Sequence, residues 1–329
     1  MRIKQAKTER KGFIAVVVLC MIILLHVLVL GFNYKSRANI SSANSFLKSE
    51  KALNCARAGL NIAIASIAAN SDSHTRNNVT DLLSQETVFP IGDGQCSLAI
   101  SEENGKFNLN MLRDASGRLN QTRIGQLLQL IKLLNRKNSG QARISYDLVP
   151  SIIDWTDNDE QVTYLPFVKH NNPGAESSYY SSLKPPYTCK NASLETIEEL
   201  LLVKGVKQDI FDLIYDYVTV KGDGKVNINS ASKLVIQSLL EEKDPSVAEM
   251  IIERRQLKPF ENITELRDLP LVTDSIYQTI KKTATVSHPD QYYRVTSQGI
   301  VDNFTCKIVA VLRKNVKTKN IDVILYKEV

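Results

Sequence analysis

The stretch FIAVVVLCMIILLHVLVLGF, residues 13–32, decides how the rest of this chain is placed. Its 20 residues would form a helix about 30 Å long, which matches the hydrocarbon core of a bilayer. Fifteen of them are Val, Ile, Leu or Phe, and their favourable transfer outweighs the cost of His26 and Cys20. The stretch is therefore predicted to span a membrane.

Basic residues in front of this helix predict its orientation. The first twelve residues carry five basic side chains and one acidic one: Arg2, Lys4, Lys7, Arg10, Lys11 and Glu9. Basic flanks of membrane helices remain on the cytoplasmic side. The N-terminus is predicted to be cytoplasmic, and everything after Phe32 is predicted to lie outside the cytoplasm.

The junction Arg10-Lys11-Gly12-Phe13 resembles the class III signal of type IV pilins and type II secretion pseudopilins. The resemblance implies that residues 1–12 are a leader, that a prepilin peptidase cuts after Gly12, and that Phe13 is then N-methylated. Two alternatives remain open. One is an uncleaved anchor, and the other is a secretory signal cleaved near Ser36-Arg37-Ala38, although such signals have apolar regions of about 7–15 residues.

Nothing in the sequence ends the helix at the membrane surface. No Pro occurs between residues 13 and 70, and the only glycines there are Gly31 and Gly59. Apolar residues recur every seven positions along one face, at Phe46, Leu53, Leu60 and Ile67. Residues 33–70 are therefore predicted to extend the helix outward and to pack it on a sheet or a partner helix.

Composition limits the classes of function. The chain has 329 residues, 43% of them apolar, which leaves room for two modest domains after the membrane segment. The net charge is +6, and four of these charges belong to the leader. The remainder lacks the basic excess that is typical of nucleic-acid binding.

Four of the five cysteines lie outside the predicted membrane segment. These are Cys55, Cys96, Cys189 and Cys306. In an oxidising compartment they are candidates for disulfides, with three possible connectivities, and free buried thiols are the alternative. No pattern typical of a zinc site accompanies them.

Alternating apolar residues predict strands on both sides of a helix-rich block. Residues 94–101 alternate, Asn104-Gly105 predicts a hairpin turn, and residues 106–110 are predicted to be the return strand. Three further alternating runs follow residue 288. The order helix, strands, helices, strands indicates an α+β fold.

Four segments resemble the K-type minor pseudopilins of type II secretion: IIDWTDNDE (152–160), GAESSYY (174–180), ELLLVKGV (199–206) and VNINSAS (226–232). Val17, the fifth residue after the predicted cleavage site, stands where most pilins carry Glu, which K-type proteins lack. The resemblance implies a pilin-like long N-terminal helix packed on an antiparallel sheet. It assigns residues 71–112 and 288–329 to that head and residues 113–287 to an inserted all-α domain of SAM-like or helix-hairpin-helix type.

Acidic residues near the first two of these segments suggest a metal site. Asp157, Asp159 and Glu176 offer hard oxygen ligands on turn-prone stretches, the type that Ca²⁺ prefers, without the spacing of an EF-hand. Because K-type proteins hold Ca²⁺ in the head, the resemblance implies a structural Ca²⁺ on these residues. A solvated acidic loop is the alternative.

The resemblance also predicts a function. It implies a non-enzymatic minor pseudopilin of the bacterial inner membrane, located at the tip of the pseudopilus and initiating its assembly. The expected partners are the I-, J- and H-type minor pseudopilins, prepilin peptidase, the inner-membrane assembly platform and exported proteins. The inner membrane itself is expected to hold the single-pass helix.

Two other classes of protein are alternatives to this one. The helical block also resembles helix-hairpin-helix DNA receptors, but its predicted second turn, residues 240–246, is acidic and lacks Gly, so nucleic acid is not an expected ligand. Six Asn-x-Ser/Thr sequons would permit a eukaryotic membrane glycoprotein. No nucleophile motif or phosphate loop indicates an enzyme.

Overall fold

The long N-terminal helix is the first element of the structure. The computed structural model describes residues 6–69, 86–114, 116–138, 142–165, 173–240 and 245–329, with side chains from residue 12 onward. Helix α1 covers Ala6–Ala69 without interruption, so the helix does continue beyond residue 32. From Gly12 it is long and apolar enough to cross a membrane. Residues 1–5 of the predicted leader and residues 70–85, between the long helix and the first strand, lie outside the described residues.

The head contains a five-stranded antiparallel sheet with the order β1-β2-β7-β8-β9. Its strands are β1 (Thr87–Ile91), β2 (Gly94–Glu102), β7 (Asp290–Val301), β8 (Phe304–Asn315) and β9 (Ile321–Glu328). The predicted strand at 94–101 and the three C-terminal runs are thereby confirmed. Strands β2 and β7 pair directly, so residues from both ends of the head form one sheet.

The predicted apolar stripe of α1 packs on this sheet over most of its length. Leu60 and Ile67 are buried against inward-facing residues of three strands: Ile100, Val295, Ile308 and Leu312. Phe46 is 64% exposed, so the stripe prediction is wrong for this residue. The reason is that the sheet ends here, where Lys48 already forms an ion pair with Asp302 in the turn between β7 and β8.

Gly299 in β7 allows α1 to approach the sheet closely. A β-carbon built at Gly299 would overlap the carbonyl oxygen of Ala52 and would lie 2.6 Å from the backbone nitrogen of Ala56. Ala52 and Ala56 are themselves small and fully buried. Backbone therefore packs on backbone at this position, which a larger residue in β7 would prevent.

The cysteines beside this contact are free thiols, as is Cys189. Cys96 Sγ lies 3.3 Å from Ser297 Oγ, and Cys306 Sγ lies 3.8 Å from Ser49 Oγ. Cys55 Sγ donates to the carbonyl of Ile91. Cys189 belongs to the separate core of the helical domain. The predicted disulfides are therefore not found, because the thiols contact hydroxyl and carbonyl groups and not one another.

The helical domain is inserted between β2 and β7. Its helices are α2 (Gln121–Lys137), α3 (Leu148–Thr156), α4 (Ser177–Ser181), α5 (Gln208–Ile214), α6 (Lys233–Leu239), α7 (Pro245–Leu257) and α8 (Asp274–Thr283). Two 3-10 helices, Ile197–Leu202 and Ile263–Asp268, precede α5 and α8. One continuous hydrophobic core joins these elements.

The predicted hairpin at Asn104-Gly105 is wrong, and this moves the start of the helical domain. Strand β3 (Phe107–Asn108) does not return along β2, because it pairs in parallel with β4 (Val218–Thr219) inside the helical domain. Asn104 uses its side chain to bind the backbone of Asp290 and Tyr292 in β7. The residues after 104 therefore belong to the insertion, eight residues before the predicted boundary at 113.

The helical domain consists of two copies of one unit. Lys106-Phe-Asn-Leu-Asn110 and Lys225-Val-Asn-Ile-Asn229 open the two copies, and each opening strand pairs in parallel with the strand that closes its copy, β4 for β3 and β6 (Ala284–Thr285) for β5 (Val226–Asn227). In both copies a 3-10 helix with a capping box precedes the last helix. This repeat is not among the sequence-based predictions, although the K-x-N-x-N pattern occurs at both openings.

The second asparagine of each opening strand ties its copy together. The Asn110 amide binds the carbonyls of Leu194 and Val220 and accepts from the Leu194 N–H. The Asn229 amide binds Phe260 and Val286 in the same way. Each asparagine thus satisfies backbone groups that would otherwise be buried without partners.

A buried ion cluster joins the helical domain to the sheet. Glu103, which directly follows β2, accepts hydrogen bonds from Lys106 Nζ at 2.7 Å, Thr219 Oγ1 at 2.6 Å and Arg294 at 3.0 Å. Arg294 comes from β7, and its guanidinium lies 4.3 Å from the ring centre of Tyr215. Because the carboxylate is fully buried and fully bonded, it fixes the domain against the head.

Replacing Gly299 tests the packing of α1. Gly299→Ala is expected to lower the free energy of unfolding by about 1–3 kcal/mol, because the added methyl group overlaps α1. Gly125→Ala is the matched control, since a β-carbon at Gly125 on α2 meets no other atom within 4 Å. The control is expected to be stabilised by about 0.5–1 kcal/mol. Thermal unfolding of both detergent-solubilised variants, followed by circular dichroism, measures the difference, and equal midpoints would contradict the close approach.

Removing Asn229 tests the internal tie of the second copy. Asn229→Ala is expected to cost about 3 kcal/mol, because the N–H of Phe260 and two carbonyls lose their buried partner. Asn61→Ala, on the exposed face of α1, is the control and is expected to change stability by less than about 0.5 kcal/mol. The same unfolding measurement applies. If the two variants unfolded at the same temperature, the asparagine would not have the role assigned to it.

Candidate metal centre

Three buried carboxylates converge at the end of α3. Asp154 in the last turn of α3, Asp157 directly after it, and Glu176 directly before α4 each place an oxygen within 4.8 Å of the other two. Their residues are 0%, 5% and 1% exposed. This is the group of His, Cys, Asp and Glu side chains with metal-ligand spacing found among the described residues.

The structure brings two of the three predicted ligands together. Asp157 and Glu176 do lie together, but Asp159 is exposed, and its side chain accepts a hydrogen bond from the Gln161 N–H. Asp154 takes the third place. Asp154 is not among the predicted ligands, although it lies in the same segment, 152–160, as Asp157 and Asp159. A helical phase argument would have found it, since Asp154 and Asp157 lie three residues apart and share a face.

Gly174 allows the segment before α4, which carries Glu176, to approach Asp154 closely. A β-carbon at Gly174 would overlap Asp154 Oδ2 and would lie 2.8 Å from the carbonyl oxygen of Pro150. The other oxygen of Asp154 accepts from the Thr163 N–H at 2.9 Å, and Gly174 in turn donates to the Thr163 carbonyl. The segment carrying Glu176 is thereby held against α3.

Lys204 and a group of aromatic rings support the other side of this segment. Lys204 Nζ donates to the carbonyls of Pro173 at 3.1 Å and Gly174 at 3.2 Å. Tyr180 is fully buried edge-on to Trp155, with ring centres 5.0 Å apart, and its hydroxyl accepts from the Lys204 N–H. Packed aromatic rings therefore form the wall behind the carboxylates.

Several oxygens of the cluster have no partner among the described residues. These are Asp154 Oδ2, Asp157 Oδ1 and both oxygens of Glu176. Burial and the neighbouring carboxylates raise the pKa of Glu176 to about 8. Burial also raises the pKa of Asp157 to about 6, against the opposing effect of Arg113, and raises that of Asp154. Buried acidic oxygens that lack donors need either protons or a cation.

The donor set fits calcium. All three side chains supply hard carboxylate oxygens, and Ca²⁺ completes six to eight ligands with carbonyls and water. No Cys or His belongs to the group, which disfavours zinc and the softer metals. The orphaned oxygens are those a cation would use, so the geometry accommodates Ca²⁺ at Asp154, Asp157 and Glu176.

The helix-hairpin-helix turns are not arranged to bind phosphate. In the first copy the turn Lys204-Gly205-Val206 uses its Lys204 N–H and ammonium inside the protein, as described above. In the second copy the equivalent turn is Pro270-Leu271-Val272, before α8, and it lacks Gly. The acidic turn predicted at residues 240–246 is a different segment, and its residues 241–244 lie outside the described residues. Binding of DNA through these turns is not favoured.

The predicted processing residues lie on the exposed surface of α1. Gly12 has no neighbouring atom within 4 Å of a built β-carbon, and Phe13 is 71% exposed. Val17 faces outward on the same apolar segment. None of these residues contacts the metal cluster or the head.

The cluster predicts a pH-dependent stability of the metal-free protein. Because the native carboxyls have raised pKa values, the folded state binds more protons than the unfolded state between about pH 4 and 8, and stability falls as pH rises through this window. Ca²⁺ replaces these protons. The thermal midpoint in chelator is therefore expected to fall from pH 5 to pH 8, and saturating Ca²⁺ is expected to restore it, by about 2.7 kcal/mol at 100 times Kd.

Two substitutions locate the effect. Glu176→Gln is expected to remove most of the stabilisation by Ca²⁺ at pH 8, whereas Asp159→Asn, a neighbouring exposed acid, is expected to leave it unchanged. A wild-type protein whose midpoint does not respond to Ca²⁺, or an Asp159 variant that loses the response as fully as the Glu176 variant, would contradict this site.

Family models match most of the helical domain and divide it where the two copies meet. Residues 105–223 and residues 226–287 each match a model described as "Type II secretion system (T2SS), protein K". Together these matches cover more than half of the chain. The boundary near residue 224 falls between β4 and β5, which close the first copy and open the second.

Curated relatives and a solved structure agree with this family. The chain is 26% identical over 231 residues to type II secretion system protein K of Pseudomonas aeruginosa, covering 69% of this chain and 64% of that protein. It is 28% identical over 152 residues to protein K of Aeromonas hydrophila, covering 44% of each. The aligned part thus spans less than two thirds of the length of either relative.

The fold matches a chain in the crystal structure of the GspK-GspI-GspJ complex from the type 2 secretion system of enterotoxigenic Escherichia coli. The TM-score is 0.67 at 18% identity, over 88% of this chain and 99% of that chain. This likeness shows a common fold. With both copies of the helical unit matched, the chain belongs to the protein K family of the type II secretion system.

Proposed function

We propose that this protein is a non-enzymatic minor pseudopilin that sits at the tip of the type II secretion pseudopilus. The observation that carries the proposal is the two-copy helical domain inserted between β2 and β7 of the head. The head packs on α1, whose N-terminal part is long and apolar enough to cross a membrane. The apolar helix supplies a single-pass anchor in the inner membrane and, after extraction, the packing surface of a filament core. The head then lies on the periplasmic side.

The proposed maturation step is cleavage after Gly12 and N-methylation of Phe13. The exposed position of both residues on an uncovered segment of α1 supports access by a peptidase. Val17 supports the position at the tip. A Glu at this position would pair the amine of a neighbouring subunit within the membrane, where an unpaired charge is costly, and Val17 offers no such partner.

The size of the helical domain supports the same position. A subunit stacked above would meet this domain, so the protein ends a filament. Subunits below it are proposed to be the I- and J-type minor pseudopilins, since the solved relative with this fold is part of a GspK-GspI-GspJ complex. The H-type subunit, the inner-membrane assembly platform and exported proteins complete the proposed set of partners, and this tip complex initiates assembly.

Calcium is the proposed structural cofactor, held by Asp154, Asp157 and Glu176. The bound cation supplies the charge that lets three buried carboxylates remain ionised side by side. The residues around it position the ligands. Gly174 allows its segment to approach Asp154, the Thr163 N–H donates to one oxygen of Asp154, and Lys204 binds the backbone before Glu176. The segment from Pro173 to Glu176 is thereby held on α3.

The N-terminus of the mature protein tests the proposed maturation. In cells with prepilin peptidase, intact mass and N-terminal sequencing are expected to show loss of residues 1–12 and one added methyl group on Phe13. Cells without the peptidase are expected to retain Met1. Gly12→Val is expected to block cleavage, while Gly31→Val, at the other end of the same apolar segment, is the control and is expected to be processed normally. A mature N-terminus at Asn39, or at Met1 in both strains, would contradict the proposal.

A further inference from the structure

Arg113 is the basic residue that forms an ion pair with the carboxylate cluster. One of its terminal nitrogens donates to Asp157 Oδ2, leaving Asp157 Oδ1 without a partner. The side chain of Arg113 is 25% exposed, so it reaches the buried cluster from the surface. Its charge lowers the pKa of both Asp154 and Asp157, and so its field acts on two of the three carboxylates.

The loop that carries Arg113 holds the guanidinium in place independently of the carboxylates. The other terminal nitrogen of Arg113 donates to the Gly117 carbonyl at 2.8 Å. The Asp114 side chain fixes this loop by accepting from the backbone N–H of Arg118, and the Gly117 N–H donates back to the Asp114 carbonyl. Gly117 has a φ of +79°, which other residues adopt only with strain. The arginine is thus preorganised beside the site.

Other charges around the cluster are engaged elsewhere or lie in solvent. Lys204 directs its ammonium at two backbone carbonyls and at the ring of Tyr179. Asp159 and Glu160 are exposed, and Glu160 accepts from Ser177 and Asn191. Water screens such charges more strongly than it screens buried ones. The buried charge is therefore set by three carboxylates and one guanidinium.

We propose that Arg113 determines the charge selectivity of this site, by reducing the buried charge from −3 to −2 and so matching it to a divalent cation. A trivalent ion at the same place would neutralise the three carboxylates and leave the positive charge of the guanidinium uncompensated. Ca²⁺ and the trivalent lanthanide ions bind to the same type of oxygen ligand. A site can therefore distinguish them by the charge that surrounds the ion. The inference rests on the proposed metal site and assigns this selectivity to a residue that is not a ligand.

Titration with Ca²⁺ and with Tb³⁺ tests the inference in the full-length, detergent-solubilised protein. Arg113→Gln is expected to raise the ratio of Tb³⁺ to Ca²⁺ affinity by at least about tenfold, because a trivalent ion gains more than a divalent one when a neighbouring positive charge is removed. Arg118→Gln is the matched control. It lies in the same loop, is 82% exposed and pairs with Asp114 outside the cluster, and its ratio is expected to stay within about twofold of wild type.

Further variants separate charge from geometry. Arg113→Lys keeps the positive charge and is expected to retain the wild-type ratio. Arg113→Met provides a second neutral side chain if the Gln variant fails to fold, and is expected to raise the ratio as the Gln variant does. An unchanged ratio in the neutral variants, or a Lys variant that behaves like them, would overturn the inference while leaving the metal site intact. A wild-type protein that binds neither ion would overturn both.

Discussion

The backbone contact between α1 and Gly299 is the constraint on which the head depends. Small residues on both sides bring the helix close enough for its apolar stripe to reach three strands at once. Without that approach the sheet would expose its inner face, since α1 is the element that covers it. The same contact fixes where the membrane segment leaves the head, because α1 is one continuous helix from the apolar stretch to the sheet.

The two copies of the helical unit separate structural from functional residues. Both copies keep the opening asparagines, the capping box and the closing parallel strand, so these features belong to the unit itself. The carboxylate cluster belongs only to the first copy, where a longer connection follows α3 and carries Gly174 and Glu176. In the second copy the helix after α6 leads directly to the 3-10 helix Ile263–Asp268. The candidate metal site is thus an addition to a duplicated scaffold.

Sequence patterns predicted the long helix, the strands and two of the three carboxylates, because each depends on local periodicity or on residue type. What they missed depends on contacts between distant segments. Asn104-Gly105 has the composition of a hairpin turn, yet Asn104 binds β7 and the chain turns into another domain. Asp154 belongs to the same acidic stretch as Asp157, and only the packing of Glu176 beside these two residues distinguishes it from Asp159. Phe46 has the spacing of the apolar stripe, but it is exposed because it lies beyond the turn between β7 and β8, where the sheet ends.

The place of the insertion has a consequence for the sheet that carries it. Strands β2 and β7 are antiparallel neighbours, with Glu102 directly opposite Tyr293. The whole helical domain occupies the position of the loop between these two strands. A turn of a few residues would connect the same strands. Closing so long a loop as unstructured chain would cost roughly 3 kcal/mol more than closing a short one, a penalty that a self-folding insert with adjacent ends largely avoids. The head can therefore accept a domain of this size at this one turn without any change in the register of its strands.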